Sequence, residues 1–267
     1  MQAIIIEHVL IYIMTGALAG LIAGTLGIGG GMIIVPALLY IFQHTNDVPH
    51  SLEMHFAAGS SLAIMIFTGQ SSVRAHMRNK GILWSAYRRL QLGIILGAVV
   101  GVLLAYQLPT HWLKVLLAVF LFLIAAEMMF NTHLPHRKDF PRQWVNRLVG
   151  MLIGLKSGLL GIGGGALVIP YLSYCGVERR QTAGVSAMCT LTVALIGTIA
   201  VIITGSTESD LPAWATGYVY WPAVFWVAIP SMIFAPIGAH LTYKLPVNHL
   251  RHAFIVVLLI AAIDLIV

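Results

Sequence analysis

The sequence predicts an all-α polytopic membrane protein: two inverted-topology repeats of about five helical segments each, with Gly-rich broken-helix hairpins. Three observations predict it. First, the 267-residue chain is 59% hydrophobic and only 9% charged, where soluble domains average about 25% charged residues, and bilayer-length apolar stretches recur throughout. Second, a glycine run occurs twice. Gly20 to Tyr40 reads GLIAGTLGIGGGMIIVPALLY and Gly154 to Tyr174 reads GLKSGLLGIGGGALVIPYLSY, aligned without a gap at a shift of 134. Third, equivalent loops of the two halves carry opposite charge. The apolar segments are continuous rather than alternating, which excludes a β-barrel, and no length remains for a soluble domain.

The first half divides into segments A (8–26), B (31–43), C (54–72), D (86–107) and E (111–130). The second divides into A′ (146–160), B′ (165–175), C′ (182–204), D′ (215–241) and E′ (248–267). Repeat 1 covers 1–133, a cytoplasmic linker 134–146 and repeat 2 147–267, in one integrated membrane domain. The duplication extends past the glycines. Ala57, Ala58 and Ser60 match Ala183, Gly184 and Ser186 at a shift of 126. Trp84, Gly101, Tyr106, Leu108, Pro109, Ala125 and Glu127 match Trp221, Gly238, Tyr243, Leu245, Pro246, Ala262 and Asp264 at a shift of 137. Segment A follows Glu7 and His8 with no Lys or Arg before it, so it reads as a retained span, not a signal peptide. Cys175 and Cys189 form no disulfide framework.

Charge then orients the halves. Basic residues gather in the C–D loop (Arg74, Arg78, Lys80, Arg88, Arg89), the linker (Arg137, Lys138, Arg142, Arg147), the B′–C′ loop (Arg179, Arg180) and the D′–E′ loop (Lys244, Arg251). The positive-inside rule places these in the cytoplasm. Glu7, the B–C loop (Asp47, Glu53) and the C′–D′ loop (Glu208, Asp210) carry no Lys or Arg and face outside, as do both termini. Parity holds only if A–B and A′–B′ each go in and come back, so each glycine run turns a hairpin. Five segments per half is an odd number, which inverts the second half. B rises only about 20 Å, short for a ~30 Å core, which favours re-entrant hairpins with tips near the midplane. The net charge of +6 sits in orienting loops and is no nucleic-acid signal.

GIGGG cannot hold a stable helix. The helix that restarts after it has N–H groups without partners and a partly positive end, an anion site in kind. Two such ends entering from opposite sides converge on one central site built from Gly27, Gly29, Gly30 and Gly31 with Gly161, Gly163, Gly164 and Gly165. The competing reading is packing or turning alone, and the Gly20/Gly24 and Gly154/Gly158 spacings suit small-residue helix packing. No GKS or GKT follows, so this is not a phosphate loop.

At these residues the chain resembles the sulfite exporter TauE/SafE family of membrane permeases. The doubled G-x-x-x-G-x-x-G-I-G-G-G with a Pro five residues on, the Ala-x-x-Ser stretches and the length carry the resemblance over nearly the whole chain. It implies a transporter for sulfite, organosulfonates or other small organic anions.

Individual residues add to this. Lys156, where the first half has Ile22, is a basic residue well inside an apolar segment, whereas Arg88, Arg89, Lys114, Arg147 and Arg251 lie within the first few residues of theirs. It either attracts the anion or snorkels to the interface. Ser60, Ser61, Ser186 and Thr190 offer hydroxyls to an oxyanion or to their own helix backbone; Ser60 and Ser186 are chosen because both repeats keep a Ser there. Gln70 is a weaker candidate. Glu127 and Asp264 either carry a coupling proton or position helix ends, and His240 poses the same choice. The B–C loop, with His44, Asp47, His50, Glu53 and His55, is dense in metal-ligand types but matches no strong motif. A solvated loop is the reading adopted, and a metal-ion transporter the rival. Tyr40, Trp84, Trp112, Trp144 and Trp214 read as interfacial anchors. H-E-x-x-H and G-x-S-x-G are absent, arguing against an enzyme. The expectation is an inner-membrane permease for a small anion, with the lipid bilayer as its surroundings and no cofactor, resident metal or nucleic acid. A homo-oligomer is compatible with it.

Overall fold

In a bilayer every backbone N–H and C=O must be satisfied within the protein, so apolar sequence closes into helices. The computed structural model describes residues 2–26, 29–45, 47–130, 140–208, 211–241 and 247–265. The helices among them are α1 (Gln2–Leu26), α2 (Gly31–Thr45), α3 (Glu53–Arg78), α4 (Trp84–Gln107), α5 (Thr110–Phe130), α6 (Gln143–Leu160), α7 (Gly165–Tyr174), α8 (Arg179–Gly205), α9 (Trp221–Leu241) and α10 (Val247–Asp264). The protein is therefore an all-α polytopic membrane protein. Helices α3, α4, α5, α8 and α9 are each long and apolar enough to cross a membrane. The ten residues of α7 rise only about 15 Å, half of a typical hydrocarbon core.

Most expected boundaries move by a few residues, and one element changes kind. D′ was expected to start at 215, but Ala215–Thr216 and Val219–Tyr220 pair as antiparallel strands β1 and β2 before α9 begins at Trp221. The register, Thr216 opposite Val219, leaves Gly217 and Tyr218 as a two-residue turn. Gly217 takes φ +54°, as the first position of a tight primed turn requires. The helix equivalent to A′ begins at Gln143, inside the expected linker.

Helices α3 and α8 form the centre, and α3 is buried along most of its length. Leu62 packs at Gly197 and Leu191 at Gly69, so the two helices run antiparallel where they touch. The outer pairings survive exchange of the halves: α4 lies along α6 as α9 lies along α1, α4 meets α8 as α9 meets α3, and α2 meets α3 as α7 meets α8.

Interleaved small residues hold the longest of these contacts. Gly93, Gly97 and Gly101 of α4 face the backbone of Arg147, Met151 and Leu155, while Gly150, Gly154 and Gly158 of α6 face that of Leu90, Ile94 and Ala98. A Cβ on Gly97 would sit 2.7 Å from Leu155 N, and one on Gly154 2.8 Å from Ala98 N. Gly20 similarly abuts Ser231 of α9. This is the close backbone approach that drives helix association in lipid, where apolar burial supplies little. The outward faces carry large apolar residues such as Leu96, Phe122 and Ile233. The expected anchors Tyr40, Trp84, Trp112, Trp144 and Trp214 are all exposed.

Candidate functional site

The two glycine runs meet. A Cβ on Gly29 would lie 3.5 Å from Gly163 Cα, and one on Gly31 would lie 3.0 Å from Ile162 Cα and 3.1 Å from Gly161 O. Gly27 lies outside the described residues. The positive φ values of Gly29 (+90°), Gly30 (+73°) and Gly161 (+68°) are open to glycine at little cost. Gly161 ends α6 in the left-handed conformation.

The restarting helices α2 and α7 begin at Gly31 and Gly165. Gly30 O accepts from the N–H groups of Ile33 (3.0 Å) and Ile34 (3.1 Å), and Gly164 O from those of Leu167 (3.2 Å) and Val168 (3.0 Å). The N–H groups of Gly31, Met32, Gly165 and Ala166 therefore fall in first turns, where a helix offers no acceptor. Pro36 and Pro170 lie inside these helices and remove the N–H that would bond Met32 and Ala166 carbonyls. The turns that lead into these two positive helix ends lie against each other, Gly29 by Gly163 and Gly31 by Gly161 and Ile162.

Side chains from three helices surround the junction. The Ser61 hydroxyl of α3 donates to Gly161 O at 2.9 Å, and Met65 Sδ lies 3.0 Å from a Cβ position on Gly31. Thr190 of α8 packs against Gly29, its Cγ2 2.7 Å and its Oγ1 3.1 Å from the Cβ position there. The Lys156 ammonium does not snorkel. It donates to Gly163 O at 3.3 Å and sits 4.4 Å over the Phe120 ring.

Ser60 and Ser186, chosen from the sequence, are fully buried on α3 and α8. Ser60 Oγ accepts the N–H of Tyr220 at 2.9 Å, which ties the hairpin to α3. Glu127 and Asp264 lie on exposed faces near the C-terminal ends of α5 and α10, and His240 and Gln70 are exposed. The loop histidines go separate ways: His44 Nδ1 donates to Tyr40 O, His50 meets Glu53, and His55 Nε2 donates to Ala105 O. Glu53 also pairs with Lys114 at 3.2 Å. Among the described residues no three His, Cys, Asp or Glu side chains gather to hold a metal.

Sequence reasoning missed two things. The hairpin is one, and its signal was a Gly-Tyr pair between short β-rich stretches. The other is a choice among named candidates: Ser61 and Thr190, considered beside Ser60 and Ser186 but not selected, touch the glycine turns. Thr190 lies one helical turn beyond Ser186, and that spacing was the available clue.

Each end of the α3–α8 pair carries a plug. Tyr218 O occupies the place of a Cβ on Gly59, and Gly81 O occupies the place of one on Gly184. Tyr218 also donates its N–H to Val201 O at 3.3 Å and its hydroxyl to Glu208 Oε1 at 3.0 Å. Burial pushes its phenol pKa up, which keeps that proton in place. At the other end Arg180 Nη2 donates to Asn79 O at 3.0 Å.

The family model "Sulfite exporter TauE/SafE" matches residues 12–265. The chain belongs to the TauE/SafE family. A probable membrane transporter protein of Haemophilus influenzae is 33% identical over 258 residues, covering 96% of this chain and 97% of that one. One from Methanocaldococcus jannaschii is 29% identical over 245 residues, covering 90% and 88%. No solved structure matches. As a TauE/SafE member the chain is a membrane transporter rather than an enzyme.

Proposed function

We propose that this protein exports small sulfur-containing anions, such as sulfite or organosulfonates, across the inner membrane. The observation that carries the reading is the contact of the two glycine turns, Gly29 and Gly31 against Gly161–Gly163, each turn leading into a helix N-terminus of the kind that attracts anions. Lys156 stands against the same turn and brings amine donors to it. The family's description supplies the sulfur chemistry. With the inside negative, a leaving monoanion gains roughly 2.3 kcal/mol per 100 mV, so export needs no coupled ion.

The two halves act as inverted repeats that rock against each other to alternate access. Antiparallel α3 and α8, which are repeat equivalents, support inversion. So does the charge pattern, which puts both termini outside. The turns also differ in conformation despite equal sequence: Gly30 has φ +73° where its equivalent Gly164 has φ −65°. Such asymmetry is what one state of an alternating cycle requires. In this reading the plugs at Gly59 and Gly184 are the outer and inner seals. Glu127 and Asp264, on exposed helix ends, position those ends.

The test is the full-length protein in liposomes under an imposed potential, with efflux of sulfite, sulfoacetate, sulfate and chloride followed. Saturable sulfite or sulfonate flux, lost on bulky replacement of Gly30 and Gly164, is expected. Failure of all four anions to move under any gradient refutes the substrate class.

A further inference from the structure

We propose that Thr190 is the specificity-determining hydroxyl of this site, reading the third oxygen of a sulfite or sulfonate head; the inference rests on the anion reading above. Thr190 is 1% exposed, and its Oγ1 has no hydrogen-bond partner among the described residues. A helix threonine commonly donates to the carbonyl four residues back, as Thr192 does to Met188 O, Thr204 to Ala200 O and Thr68 to Ile64 O. Thr198 of the same helix is also buried without a partner, so it is the place of Thr190 that sets it apart. Thr190 lies against Gly29, beside Gly163, where the two turns that lead into α2 and α7 touch. A buried hydroxyl left unmade is costly, so its retention where these two turns touch points to an occupant.

The other nearby hydroxyls are engaged. Ser61 gives its proton to Gly161 O, and Ser60 takes the Tyr220 N–H. The repeat equivalent of Thr190, at the shift of 126 that pairs Ser60 with Ser186, is Ile64, which has no hydroxyl. The site thus offers the N–H groups of two helix starts, the Lys156 amine and one hydroxyl engaged by nothing else among the described residues. A head with three oxygens can engage that hydroxyl while its other oxygens face the helix starts. A carboxylate offers two oxygens and a halide a single centre, so each engages the hydroxyl less fully.

The experiment compares wild type, Thr190→Val and Thr190→Ser in full-length protein reconstituted in liposomes. Sulfite and methanesulfonate are the three-oxygen probes, acetate and chloride the controls. Loss of one hydrogen bond to a charged group predicts a rise of about 10- to 100-fold in the half-saturation concentration of Thr190→Val for sulfite and methanesulfonate. Acetate and chloride should change less than about threefold, and Thr190→Ser should resemble wild type. Equal changes for all four anions, or no change in Thr190→Val, overturn the role of Thr190 while leaving the anion reading intact. A wild type that moves none of the four overturns both. Thermal unfolding in detergent checks each variant, and Thr190→Ala repeats the test if Thr190→Val does not fold.

Discussion

Replacing Gly161 by alanine tests the construction of the site most directly. Gly161 sits at φ +68°, where an L-residue costs roughly 1–2 kcal/mol. Its Cβ would also lie 2.6 Å from Ala58 O and 2.7 Å from Ala58 Cβ. Those atoms belong to buried α3, so relief requires a backbone shift, and overpacking of that kind costs about 1–3 kcal/mol. The sum is about 2–5 kcal/mol. Gly30 at φ +73° has the same strain but more room, its nearest neighbour being Ala19 O at 3.2 Å. Gly30→Ala should therefore cost about 1–2 kcal/mol. Gly164 has φ −65°, and the nearest atom to a Cβ there is the side-chain Ile153 Cγ2 at 3.2 Å, so Gly164→Ala should stay within about 1 kcal/mol of wild type. The assay is reversible unfolding in mixed micelles, followed through the six tryptophans. Equal stability of the three variants, or a Gly164→Ala more damaged than Gly161→Ala, would refute the assigned turn geometry.

Three further outcomes are expected. Lys156→Met should cut sulfite flux at least tenfold while leaving the unfolding midpoint near wild type, since it removes the amine donor at the junction and keeps the volume over Phe120; unchanged flux would remove Lys156 from the site. Gly59→Ala and Gly184→Ala should each unseat one plug, because a Cβ there collides with Tyr218 O or Gly81 O. Opposite-side labelling of an introduced cysteine near Ser60 and near Asn79 should separate the two variants, and identical labelling would contradict the two-seal reading. The His44/His50/His55 triple alanine variant should keep anion transport but lose about 1–2 kcal/mol of stability, since His55 no longer donates to Ala105 O; loss of transport in a folded protein would revive the metal-ion alternative.

The sequence was most legible where composition and repetition speak. Continuous apolar stretches meant membrane helices, and the duplicated GIGGG located both breaks to the residue. Gly20, Gly154 and Gly158 were readable as packing positions because a four-residue spacing keeps small residues on one helix face. Lys156 was visible as an anomaly, yet its choice between snorkelling and the Gly163 carbonyl depended on where Phe120 and the second turn lay. The hairpin at 215–220 was absorbed into D′ because its Val and Tyr residues read equally well as the start of an apolar helix.

By itself, then, the sequence determined the class, the repeat and the position of the breaks, since these follow from local propensity and from solvation in lipid. Only the tertiary structure decided which hydroxyls face the breaks. Ser60 and Ser61 are neighbours in the chain, but adjacent helix positions point about 100° apart, and the crossing of α3 with α8 sends one to Tyr220 and the other to Gly161. The same crossing sets Thr190 against Gly29. It also lets two identical glycine runs adopt different backbone angles, because each packs on different neighbours although both read the same.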